Sequence, residues 1–118
     1  MSAIDDIAAE RKRQIAVEGY DADHDDEHDA GEIAMAAACY AAPALIFTKD
    51  ERATATIYGD PWPWDQAYDK RPFVGNMLRD PAKTSDKVRR DLLVKAGALI
   101  VAEIDRLDRQ SSAKSDAA

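Results

Sequence analysis

The chain has 118 residues, with 23 acidic against 16 basic side chains and a formal charge of -7. A hydrophobic share of 46% supplies one small core and excludes wholesale disorder. With no basic cluster denser than Arg11, Lys12 and Arg13, the chain lacks the footprint of a protein that grips phosphate backbones, so direct nucleic-acid binding is disfavoured.

Residues 4–18 read as a first helix, free of Gly and Pro, with Gly19 as its stop. Projection at about 100° per residue puts Ile4, Ile7, Ala8, Arg11 and Ile15 on one face, with Glu18 at its edge. Arg11 thus falls in an apolar stripe. Either its stem packs while its head reaches water, or its guanidinium meets an internal carboxylate or an anionic ligand. The N-terminal stretch is charged from Asp5 onward, and no segment approaches the roughly 18 apolar residues of a membrane span. A cytoplasmic chain without a membrane partner is expected.

Between Asp21 and Glu32 the sequence DADHDDEHDAGE carries seven carboxylates and no Lys or Arg, as much charge as the net value of the whole chain. Three readings compete there. As a calcium loop, Asp21, Asp23, Asp25, Glu27, Asp29 and Glu32 have EF-hand spacing, but Asp26 stands where the turn needs Gly and His28 where an apolar residue is usual. As a helical turn, His24, Asp25, His28 and Glu32 share a face, and two imidazoles with carboxylates suit a divalent transition metal such as zinc or manganese. In the third, the carboxylates only complement a helix N-terminus and the histidines are solvated.

A second helix is expected over residues 29–41, ended by Pro43; its Ala34, Ala36, Ala37 and Ala38 permit close packing, including a homodimer contact. Cys39, the single cysteine, sits in this apolar run as a small buried hydrophobe. Residues 43–82 are irregular, with a short strand candidate at 53–58 that has no evident partner. Within them DPWPWD, residues 60–65, holds Trp62 and Trp64 between stiffening prolines, with Tyr58, Tyr68 and Phe73 nearby. The tryptophans either plug a gap between helices or offer a stacking surface to a planar ligand, with Lys70, Arg71, Arg89, Arg90 or Lys95 as cations for phosphate.

The last helix is expected over residues 84–109, its stripe being Val88, Leu92, Ala96, Leu99, Ile100, Ile104 and Leu107. Glu103 lies inside that stripe and needs a partner: a metal shared with His24 and His28, or Arg11. The fold class is therefore all-α, with three helices and a long aromatic connection in a single domain of residues 1–109, followed by a disordered polar tail, 110–118.

One set of residues resembles a known group: Glu10, Arg11, Arg13, Gln14 and Ile15; Glu18-Gly19-Tyr20; His24-Asp25-Asp26 and His28; Gly31-Glu32-Ile33-Ala34; the 61–65 segment; and RRDLLVKAGALIVAEIDRLDR over 89–109. As a set it resembles small proteins encoded by bacteriophages and prophages. The order Arg, Gly-aromatic, Asp and a late Arg-rich helix is more loosely similar to bacterial ryanodine-receptor repeat domains, suspected of binding nucleotide-derived signals. The resemblance implies an accessory protein in the host cytoplasm, acting on host defence or nucleotide metabolism.

Two functions follow as expectations. In the first, Arg11, Gln14, Tyr20, Trp62, Trp64, Arg90, Lys95 and Glu103 line a pocket for a nucleotide-like ligand beside the cluster His24, Asp25, His28 and Glu32. The protein then sequesters the ligand, or hydrolyses it through a metal-activated hydroxide with Asp26 or Glu32 as base. No nucleophile triad, P-loop or Rossmann glycine pattern is present in the sequence. In the second, the acidic surface docks on a basic surface of a host protein as an inhibitor.

Overall fold

The computed structural model describes residues 2–75 and 77–117. The first helix, α1 (Ala3–Ala16), starts where Ser2 Oγ accepts from the Asp5 amide at 3.1 Å, with Asp5 and Asp6 favourably placed in its first turn. It closes where the amides of Glu18 and Tyr20 both return to the Gln14 carbonyl, a path that needs Gly19 at φ 75°.

The acidic segment forms neither a calcium loop nor the start of a long helix. Residues Ala22–Asp26 are a separate short helix, α2, capped by Asp21, whose side chain accepts from the His24 amide at 2.9 Å. Gly31, at φ 85°, then interrupts the backbone, so α3 spans Glu32–Ala41 and starts later than residue 29. The final helix, α4 (Asp86–Ala117), continues past residue 109 through the stretch expected to be a tail. Ser, Ala and Lys there carry no stop signal.

The core lies between α3 and α4. Ile33, Ala36, Ala37 and Tyr40 meet Leu92, Ala96, Leu99 and Ala102, and Tyr20 joins them from the α1–α2 connection. Alanines on both helices bring the axes close. Ala36 and Ala37 are thus used inside the chain, while Ala34 and Ala38 stay at the surface. Cys39 is buried, and burial pushes its thiol up to about 11, which suits an inert packing group.

Two apolar stripes are rotated from expectation. On α1, Ile4 and Ile15 are exposed and Gln14 is buried. Ile7 faces α4 at Gly97, where even a Cβ would lie 2.8 Å from its Cδ1. On α4, Ile100, Ile104 and Leu107 face outward, because α1 and α3 flank the helix and draw Leu92, Ala96, Ala98, Leu99 and Ala102 inward.

The strand candidate does find a partner. Strand β2 (Thr56–Gly59) pairs antiparallel with β1 (Thr48–Glu51), Thr48 opposite Gly59 and Glu51 opposite Thr56. A second small pair joins β3 (Phe73–Val74) to β4 (Met77–Leu78). The fold is mostly helical with two short hairpins, and so is not purely all-α. Among the described residues no helix is long and apolar enough to cross a membrane.

Candidate functional site

The site begins with a buried ion pair. Arg11 on α1 donates through Nη2 to Asp25 Oδ2 at 2.8 Å and through Nη1 to the Tyr20 carbonyl at 2.9 Å. The two side chains are 12% and 2% exposed. Of the two readings for Arg11, the internal carboxylate is the one realised, and it anchors α2 to α1.

Asp25 uses its other oxygen on His24, whose Nδ1 lies 3.0 Å from Oδ1. His28, just past the end of α2, has its Nδ1 3.0 Å from Glu32 Oε2. Glu32 Oε1 accepts from the Ala30 amide at 2.7 Å. The hydrogen bond from His28 leads the forces holding the Glu32 carboxyl below its ordinary value of 4.5. The two imidazoles then meet each other, Nε2 to Nε2, at 3.3 Å.

Aromatic rings enclose this pair. Tyr20 stacks on His24 at 4.8 Å between centroids, and Trp64 lies 5.4 Å from the His28 ring and 5.5 Å from Tyr20. Burial pushes the Tyr20 hydroxyl up to about 12, so it stays a neutral donor at physiological pH. Glu18, Tyr20, His24, His28, Trp64, Asp65 and Tyr68 together line a cleft of about 220 Å³. Beside it, sharing Glu18, Tyr20, Trp64 and Tyr68, is a narrow pocket of about 10 Å³, the size of one water. Gln14 Oε1 and Trp64 Nε1 both belong to residues bordering it and are buried without a protein partner.

Trp64 reaches the cleft because its loop is tied down at several points. Asp60 caps the Trp62 amide, and Asp65 caps the turn Gln66–Tyr68. Buried Arg71 grips Asp69 and Asp60, with closest contacts of 2.8 Å to each. Tyr40 Oη accepts from the Lys70 amide at 3.0 Å and donates to the Tyr68 carbonyl at 3.3 Å.

Of the residues expected in one pocket, Tyr20, His24, His28 and Trp64 line the cleft. Asp25 and Glu32 stand behind the imidazoles, on their Nδ1 side, so the four expected ligands do not converge on one point. Among the described residues no group of three or more His, Cys, Asp or Glu is arranged to hold a metal. Gln14 borders only that narrow pocket, its Nε2 donating to Glu10 at 3.3 Å. Trp62 is the gap-filling anchor, against Tyr40 at 5.2 Å and under the Arg71 guanidinium at 5.4 Å.

Three further expected residues do not line the cleft. Arg90 is 2.6 Å from Asp6 and lines an open groove between α1 and α4. Lys95 is 3.5 Å from Glu10, and Glu103 is paired by Arg106 one turn later, with neither Arg11 nor the histidines. Glu18, Asp65 and Tyr68 belong to the cleft and were not singled out as site residues. Glu18, next to the Gly19 stop and held by Arg13 at 3.1 Å, was the most visible of them.

A pH dependence follows from the carboxylates around the site. Glu10 is pushed up by burial, but Arg13 and Lys95 outweigh this and lower it below 4.5. A lowered folded value means that the contribution of Glu10, like that of Glu32, is full above the unfolded value and is lost as pH falls through the folded one. Thermal midpoints should therefore fall on acidification below pH 4.5, and the fall should be shallower in Glu10→Gln. An unchanged acid limb in that variant would refute this role.

In comparison with known proteins, the chain matches no family model, no curated protein and no solved structure.

Proposed function

We propose that this chain binds a nucleotide-like small molecule in the cleft formed by Tyr20, His24, His28, Trp64 and Tyr68. The observation that carries the reading is the convergence of five rings from two distant segments around one opening, held by the buried Arg11–Asp25 pair. Aromatic faces bind planar rings by stacking at about 1–3 kcal/mol per base. Glu18 and Asp65 supply acceptors for exocyclic amines or sugar hydroxyls. A space of about 220 Å³ takes one ring system and leaves the rest of the ligand at the mouth. We place this binding, as part of the same proposal, in a counter-defence setting, in which holding a nucleotide signal is sufficient.

Binding is better supported than hydrolysis. Of the two expected bases, Asp26 is held by Arg109 at 2.9 Å and Glu32 by His28 and the Ala30 amide. Neither carboxylate lines the cleft. Of the seven carboxylates in the acidic segment, Asp25, Asp26 and Glu32 pair with side chains of this chain, which leaves Asp21, Asp23, Glu27 and Asp29 exposed to the docking-inhibitor reading.

The test is a thermal-shift and calorimetric panel of adenosine, guanosine and their monophosphates. A ligand should raise the midpoint of the native chain, and Trp64→Ala should weaken binding at least about tenfold, the equivalent of one lost stack. Equal binding in Trp64→Ala, or no shift across the panel, would reject the reading.

A further inference from the structure

We propose that His24 and His28 together hold one divalent cation of the zinc class at the mouth of the cleft, with Asp25 and Glu32 as their orienting partners. A carboxylate only accepts, so the contacts at 3.0 Å from Asp25 to His24 Nδ1 and from Glu32 to His28 Nδ1 place a hydrogen on each Nδ1. A neutral imidazole protonated there has a bare lone pair at Nε2. The two Nε2 atoms nevertheless face each other at 3.3 Å. Two such lone pairs are held together by a positive centre between them, either a shared proton or a metal ion.

The distance fits a metal ion as well as a shared proton. Bonds of about 2.0–2.1 Å to a tetrahedral zinc set its two nitrogen ligands about 3.3–3.4 Å apart. A carboxylate behind each ligating imidazole is the usual second shell of zinc sites, fixing the ring and raising its basicity. Here that shell is itself fixed, Asp25 by Arg11 at 2.8 Å and Glu32 by the Ala30 amide at 2.7 Å. The histidine side chains are 29% and 23% exposed, so an ion can enter from solvent. Since no third protein ligand among the described residues completes the set, the remaining positions go to water or to an oxygen of the ligand. Such a cation supplies the positive charge that the lining residues, which include Glu18 and Asp65 but no Lys or Arg, do not. This last step, contact with a ligand phosphate, rests on the binding function proposed above; the metal site does not.

The experiment titrates cobalt(II) into tag-free, chelator-treated full-length protein and follows visible absorption. One equivalent should bind with ligand-field bands that zinc displaces. His24→Ala and His28→Ala should each abolish the bands, and Glu32→Gln should weaken binding about tenfold while the far-ultraviolet circular dichroism stays unchanged. Absence of saturable binding, or full binding in His24→Ala, would overturn the site and leave a shared proton between the imidazoles. Zinc should tighten adenosine monophosphate at least about fivefold and leave adenosine unaffected, whereas equal effects on both would reject the phosphate contact. Trp64→Ala separates the two proposals, since it should lose the nucleotide and keep the cobalt.

Discussion

Asp25→Asn is expected to destabilise the protein by about 3–5 kcal/mol, the cost of leaving one member of a buried ion pair uncompensated. Asp25 is the more deeply buried partner, and it joins three elements at once: Arg11 on α1, His24 on its own short helix and, through Arg11, the Tyr20 carbonyl. The thermal midpoint should drop by at least about 10 °C. Pairing the change with Arg11→Met should recover part of the loss, because the stranded charge is then gone. If Asp25→Asn melts within a degree or two of the native chain, the pair is not the anchor of α2.

Arg71→Met should cause a loss of similar size, about 3–5 kcal/mol, by a different route. The Arg71 and Asp69 side chains are only 3% and 2% exposed, so removing the guanidinium strands a buried carboxylate. It also removes the contact over Trp62 and frees Asp60. The consequence should extend to the site, because residues 60–71 place Trp64 against His28. Arg71→Lys should recover little, since an ammonium cannot fork to Asp60 and Asp69 together. Urea denaturation of the three proteins would measure this, and native-like stability in Arg71→Met would contradict the assignment.

The part of the site that was legible in the sequence is the part carried by unusual residues. Arg11 on an otherwise apolar face and the chain's two histidines inside an acidic run mark, in the sequence, residues that the structure brings together around Asp25. The sequence could not show which side of each imidazole the carboxylates would occupy. Asp25 is turned by Arg11, a contact across fourteen residues, and Glu32 by the left-handed Gly31 that separates α2 from α3. Helix projection also failed on α1, because its rule places apolar residues inward, whereas Gln14 is buried there beside Glu10.

The hairpin at residues 48–59 left little trace because nearly all of its residues are exposed on both faces, so no alternating pattern marks it. The extension of α4 was hidden for a related reason, since residues 110–114 are exposed and polar and contact no core residue that periodicity would reveal. Asp65 and Tyr68 enter the cleft because Tyr40 and Arg71 fix the path of the aromatic loop, and those contacts span up to thirty residues.

By the proposal above, the cleft beside His24 and His28 is where this chain takes its ligand. The two indole N–H signals in a proton–nitrogen correlation spectrum test it directly, because Trp62 and Trp64 are the only tryptophans. Addition of adenosine monophosphate should shift the Trp64 signal, whose ring borders the cleft, and leave that of Trp62, whose Nε1 donates to the Asp65 carbonyl, nearly in place. A saturating shift confined to Trp62, or two indole signals unmoved by the whole nucleoside and nucleotide panel, would contradict the account.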